Sequence, residues 1–163
     1  MVTEMCVAAA NHIIEWTNEY NKSRGYDEKI IMTGKRLQKL LYFCDVEYMK
    51  AHQGQSMFED EFYAWPSGPV IPSVYYQFMQ YQSGDMQPVG GDHTPLTDEM
   101  ISVINRILDR TKDMDTVDLV ESSHVKKGPW RQIFVDNDQG YERIVSKDKI
   151  YDFYKKRDIF ATE

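Results

Sequence analysis

The sequence is poor in the features that announce most functional classes. Only Cys6 and Cys44 represent cysteine among 163 residues, too few for a disulfide framework and without the paired spacing of a zinc site. A reducing compartment is the expectation. No run of eighteen apolar residues occurs, so no segment is expected to span a membrane. Met1 to Glu4 carry no basic residue and Glu15 interrupts the apolar pattern early, which is not the pattern of a secretory leader. Cations are in deficit. The formal charge of −7 disfavours non-specific nucleic-acid binding, which needs clustered cations to displace counterions, and suits solubility or a basic protein partner. Gly90-Gly91 lacks the spacing and the following lysine of a phosphate loop, and neither His-Glu-x-x-His nor Cys-x-x-Cys occurs. His12, His52, His93 and His124 are scattered. There is no internal repeat or low-complexity tract. These absences leave a cytoplasmic protein with no cofactor, no metal and no enzymatic activity as the expectation.

Aromatic residues, in contrast, make up 13% of the chain, eleven of them tyrosine, and a tyrosine suits contact surfaces as well as cores. They concentrate in Glu61–Tyr76, EFYAWPSGPVIPSVYY. Alternation at Phe62 and Ala64 reads as a short strand. Pro66, Gly68 and Pro69 are expected to stop it, and Pro72 to open a helix. Trp65 stands at that corner, either as a core plug or, if exposed, as a contact residue. Were the ring buried, Trp65→Ala would mainly lower stability, by roughly 3–5 kcal/mol.

The rest reads as helices forming one domain over residues 1–163, mainly α with a small β-ribbon packed on the bundle. Thr3 to Arg24 is expected to be helical, capped by Thr3 and ended by Gly25, with Met5, Ala9, Ile13, Trp16 and Tyr20 on its buried face. A connector, extended through Ile30 and Ile31, leads to Thr33, the cap of a second helix from Lys35 to about His52. That helix is apolar nearly all round at Leu40 to Cys44, which predicts a central position, with Asp45 and Glu47 facing solvent. Ser56–Asp60 is expected to pair with Glu61–Trp65. Ser83–Pro95 reads as a loop, either a flap or a connector. Thr97 caps a helix with Ile101, Ile104, Ile107 and Leu108 inward, and a short helix starts at Asp115 or Thr116. Trp130–Val135 forms another turn. Asp136–Gly140 is a turn by composition, and Tyr141–Val145 an extended piece. Ser146 caps a last helix with Ile150, Phe153 and Tyr154 inward.

Two constellations admit chemistry. His124 lies between a helix end and the Gly128-Pro129-Trp130 turn, where an imidazole bonded to backbone would lock the turn. Glu59, Asp60 and Glu61 could be acid/base or metal-binding carboxylates, but an acidic run at a turn is more simply a solvated one. A small hydrolase or nucleotide-modifying site around His124 and these acids is therefore the competing reading. Lys126, Lys127 and Arg131 form a basic cluster able to touch phosphate.

Three ordered segments resemble the Panacea domain family, the SocA-like or GepA-like phage-associated proteins. Lys35–Phe43, KRLQKLLYF, is similar to the family's opening KLQKLLYF helix. Phe58–Pro72, FEDEFYAWPSGPVIP, resembles its F-x-E-x-F-x-A-W-x-x-G-P-V-x-P segment, with Tyr75 and Tyr76 in the helix that follows. His124–Trp130, HVKKGPW, is similar to its T-H-x-x-x-P-W turn, with Ser123 in place of threonine. The resemblance implies a mainly helical fold with a small β element, and an antitoxin of bacterial, prophage-associated toxin–antitoxin pairs that binds a toxin encoded beside it. Some relatives deliver the toxin to a protease instead, and some carry an added DNA-binding domain that is not visible here. Lys39, Leu40, Leu41, Tyr42, Trp65, Gly68, Pro69, Val70, Pro72, His124, Pro129 and Trp130 carry the resemblance and are expected to be structural. Trp65, Tyr75, Tyr76 and Tyr81 are the expected partner contacts, the Ser83–Pro95 loop being the alternative surface. A homo-oligomer is compatible with all of this.

Overall fold

A helix that is apolar on more than one side needs neighbours on each of them, and here it has them. The computed structural model describes residues 4–81, 86–90, 95–136 and 143–161. Its elements run α1 (Glu4–Asn21), α2 (Gly34–Ala51), β1 (Phe62–Trp65), β2 (Gly68–Val70), α3 (Pro72–Phe78), α4 (Asp98–Thr111), α5 (Thr116–Ser123), α6 (Pro129–Arg131), β3 (Ile144–Val145) and α7 (Lys147–Tyr154). The fold is mainly α with a small antiparallel sheet. Helix α2 packs against α1, α3, α4, α5, α7 and β2. Thirteen of its eighteen residues are buried, so its sequence pattern and its central place agree.

Local signals set several boundaries. Thr33 Oγ1 accepts from Arg36 N at 3.2 Å and Thr97 Oγ1 from Met100 N at 3.1 Å. Ser146 caps α7 in the same way. Each satisfies an otherwise orphaned first-turn donor. Helix α1 ends at Asn21 rather than near Gly25, because the Asn21 amide bonds both the N–H and the carbonyl of Ile30 at 2.8 Å. The connector that follows forms a 3-10 turn at Tyr26–Glu28 and no strand through Ile30 and Ile31. The buried face of α1 is centred on Cys6, Ala9, Ala10, Ile13 and Ile14. Trp16 and Tyr20 stack on each other at its flank, 5.2 Å between centroids. The expected Thr3 cap, the Asp136–Gly140 turn, Tyr141 and His93 lie at least partly outside the described residues.

Asp45 corrects the sequence reading. It is fully buried, not in solvent. Its carboxylate accepts from Ser56 Oγ and Met57 N, both at 2.7 Å, and lies 3.7 Å from Lys147 Nζ. Lys147 also donates to Ser56 Oγ at 2.8 Å and to the Phe58 carbonyl. Burial raises the Asp45 pKa while Lys147 and these hydrogen bonds oppose the rise. The same network holds Ser56–Phe58, so that segment does not pair with β1. The strand order is β2-β1-β3, with Trp65 opposite Gly68, Ala64 opposite Pro69 and Phe62 opposite Val145. Pro66 and Ser67 make a two-residue turn, and Pro69 does not stop the sheet. On an edge strand its missing N–H leaves no ladder bond broken.

Gly68 has φ +120°, and a Cβ there would lie 2.7 Å from Ser123 Oγ and 3.0 Å from Lys39 Cε. Gly68→Ala therefore adds backbone strain to a steric clash. We expect it to cost about 2–4 kcal/mol, read as a fall in the urea midpoint; an unchanged midpoint would mean the hairpin shifts freely.

Candidate functional site

Polar side chains from the first and third of the three sequence segments meet at one piece of backbone in the second, the hairpin Trp65–Ile71. Gln38 Oε1 accepts from Ile71 N at 2.8 Å and Gln38 Nε2 donates to Ile71 O at 3.2 Å. Lys39 Nζ donates to Pro69 O at 2.6 Å. Trp130 Nε1 donates to Trp65 O at 2.7 Å. His124 bonds the Ser67 backbone and stacks on Trp130, with 3.7 Å between ring centroids. A hairpin too short to be stable alone is thus fixed by side-chain-to-backbone bonds, those at Pro69 and Ile71 satisfying buried backbone groups. Gln38 escaped the sequence reading as a distinct element. Its signal was a glutamine and a lysine inside an otherwise greasy run, which in a buried helix implies dedicated partners.

Lys39 is fully buried, and burial pushes its ammonium down to about 7, with Lys35 adding to the effect. His124 is pushed down to about 4, chiefly by burial and further by Lys39 and Arg131, against the Ser67 bond. It is neutral at pH 7, and its Nε2 is buried without a partner. Leu40, Leu41, Tyr42, Val70 and Pro129 are buried around this clamp. Pro72 takes the first turn of α3.

The clamped hairpin presents an aromatic corner. The Trp65 ring meets Tyr75 edge-on at 5.2 Å and Tyr76 at 6.4 Å, and Tyr75 meets Tyr76 at 5.4 Å. Trp65 and Tyr75 are half-buried, whereas Tyr76 is 61% exposed and Met79 beyond it is also exposed. Trp65 is thus neither a core plug nor a free-standing anchor. Tyr81 is not part of the corner and packs against the core. In the Ser83–Pro95 region, Met86 is buried and Val89 bonds Asn11 through both N–H and carbonyl at 2.8 Å. The described residues 86–90 therefore lie along α1; 82–85 and 91–94 are outside the description.

The groups of the competing enzymatic reading are held by separate partners. Asp60 Oδ2 accepts from Ser73 Oγ at 3.3 Å, Glu59 and Glu61 are exposed, and His124 faces the hairpin backbone and Trp130. Arg131 Nε donates to His124 O at 3.0 Å, so one of the three clustered cations serves its own loop. His12 meets Asn105 at 2.7 Å and His52 meets Glu99. No cluster of three or more His, Cys, Asp or Glu suited to a metal occurs among the described residues. Among them, no helix is long and apolar enough to cross a membrane. A polar cleft of about 510 Å³ lies between the Tyr26–Ile31 connector and the α4–α5 turn. Among its lining residues buried Arg36 donates to Thr111 O, the last carbonyl of α4, at 3.0 Å, as suits a cation at a helix C-terminus, and to Met114 O in the following turn at 2.8 Å.

Set against known proteins, residues 37–131 match the family described as antitoxin SocA-like, Panacea domain. The span is more than half of the chain and takes in the whole clamp and the aromatic corner. No curated protein and no solved structure matches the chain significantly.

Proposed function

Since the chain belongs to the antitoxin SocA-like Panacea domain family, we propose that it neutralises a cognate toxin, encoded beside it, by direct protein–protein binding. The observation that carries the reading is the partly exposed aromatic corner on a hairpin locked by side chains of the first and third family segments. Rigid aromatic anchors supply most of the energy of many interfaces, and they act best when ordering them costs nothing at the moment of binding. Tyr76, Tyr75 and Trp65 are the proposed contacts. An interface of ordinary size buries on the order of 1,600 Å² in total, so the corner would be its centre and not its whole extent. In this reading no bond is made or broken, and His124 and Lys39 act by holding the hairpin. The role belongs to a bacterial, prophage-associated setting and to the cytoplasm.

Co-expression with the product of the adjacent reading frame is the test. We expect that product to arrest growth alone and growth to return when the pair is made together. Arrest that persists with the intact pair would sink the proposal.

A further inference from the structure

Among the described residues, five rings already carry a cation from the same chain. Arg24 lies over Tyr20, Arg110 over Phe160, Lys147 over Phe62, Lys155 over Tyr151 and Arg157 over Phe153, at 4.2–5.9 Å. Among the described residues no cation is seated in this way on Trp65, Tyr75 or Tyr76, although Tyr76 is the most exposed of the three. Beside them lies an acidic edge. Asp60 is tied to Ser73, and Ser73 and Tyr76 stand three apart on α3, on one helix face. Exposed Glu59 and Glu61 flank Asp60 and form no ion pair among the described residues.

We propose, resting on the reading that this chain grips a protein, that the corner receives an arginine or lysine side chain from a basic segment of the partner. The cation would sit on the face of Tyr76, with Trp65 and Tyr75 as the wall and the Glu59–Glu61 carboxylates as its counter-charge. Aromatic faces attract cations through their quadrupole, most strongly where water is displaced. The acids, being exposed, act mainly on encounter and choice of partner. Lys126 and Lys127, exposed in the loop between His124 and Trp130, which both bond the hairpin backbone, are the opposing feature, since they would favour an acidic partner.

A random twelve-residue peptide display library, panned on the intact chain and counter-selected on the Tyr76→Ala chain, decides between them. It needs no knowledge of the natural partner, so it can fail while co-expression rescue succeeds, and the reverse. The expected result is enrichment of peptides with arginine or lysine beside an apolar residue. Their affinity should fall about tenfold on replacing both Glu59→Gln and Glu61→Gln, fall again on raising salt, and survive Tyr76→Phe. The two glutamate sites are exposed, so unchanged melting of that variant is the folding control. Enrichment of acidic or uncharged peptides, indifference to the double replacement, or no enrichment at all would overturn the proposal.

Discussion

Trp130→Ala lowers the unfolding free energy by ~3–5 kcal/mol, the largest single-residue effect expected in this molecule. The indole is 3% exposed, so truncation leaves a cavity in addition to the lost burial. It lies between His124 and Phe134, whose ring it stacks on at 4.9 Å. It also supplies the donor for Trp65 O. Losing that donor leaves a carbonyl at the hairpin corner unpaired, a separate penalty of about 1–3 kcal/mol. Trp130→Phe divides the two contributions, keeping a ring in the stack while removing the N–H. Urea unfolding of both variants should rank wild type above phenylalanine above alanine. Against a typical domain stability of about 5–15 kcal/mol, the alanine variant is left marginal. A loss below about 1 kcal/mol would mean that the third segment does not hold the hairpin.

The second large effect is a dependence of stability on pH that arises at Lys39. The folded state holds this ammonium at about 7, from an ordinary value of 10.5. Between those values the unfolded chain keeps a proton that the folded chain has released. Stability therefore rises with pH through that window and is flat below it as far as Lys39 is concerned. At about 1.4 kcal/mol per pH unit, the rise from pH 7 to 9 is of the order of 2–3 kcal/mol. Above pH 9 buried groups pull the other way, Cys44 first and then the tyrosines Tyr42 and Tyr154, the last raised to about 12 by burial. Burial raises the Cys44 thiol and the Tyr42 hydroxyl well above their ordinary values of 9.0 and 10.0, so the unfolded chain ionises first and stability falls. Between pH 9 and 10 the Lys39 rise and the Cys44 fall offset each other, so a plateau there, followed by a fall above pH 10 as the tyrosines join, is the expected shape. Lys39→Met, which keeps the stem and deletes the charge, should flatten the rising limb and leave the falling limb in place. A rising limb that survives the substitution would assign it to another group.

The sequence reading succeeded where the signal was local. Thr33, Thr97 and Ser146 each cap a helix by accepting from the N–H three residues on, and the greasy run at Leu40–Cys44 implied the central helix directly. It failed where the deciding partner lay far along the chain. Asp45 reads as a solvent-facing acid until Lys147 and Ser56 are seen around it. Pro69 reads as a strand breaker until the strand proves to be an edge. The expected α1 stripe holds at Ala9 and Ile13, which are fully buried, but turns toward Cys6, Ala10 and Ile14, while Trp16 and Tyr20, apolar enough to suggest burial, stay half-buried at the flank. Of the candidate site, the grouping of Trp65 with Tyr75 and Tyr76 was visible as a dense stretch of rings. That His124, Trp130, Gln38 and Lys39 all converge on the hairpin backbone was not, since side-chain-to-backbone bonds over such separations leave no periodicity behind.

In the proposed reading the clamp serves folding and the corner serves binding, and Tyr76 tests that division most directly. Its ring is exposed, so truncation to alanine should leave the melting temperature within a few degrees of wild type. As a central anchor it should carry at least 2 kcal/mol of association, about thirtyfold in affinity. Calorimetric titration of the Tyr76→Ala chain against the purified product of the adjacent reading frame measures this. The account predicts a folded chain with affinity weakened about thirtyfold or more; a folded chain that binds as tightly as wild type would contradict it.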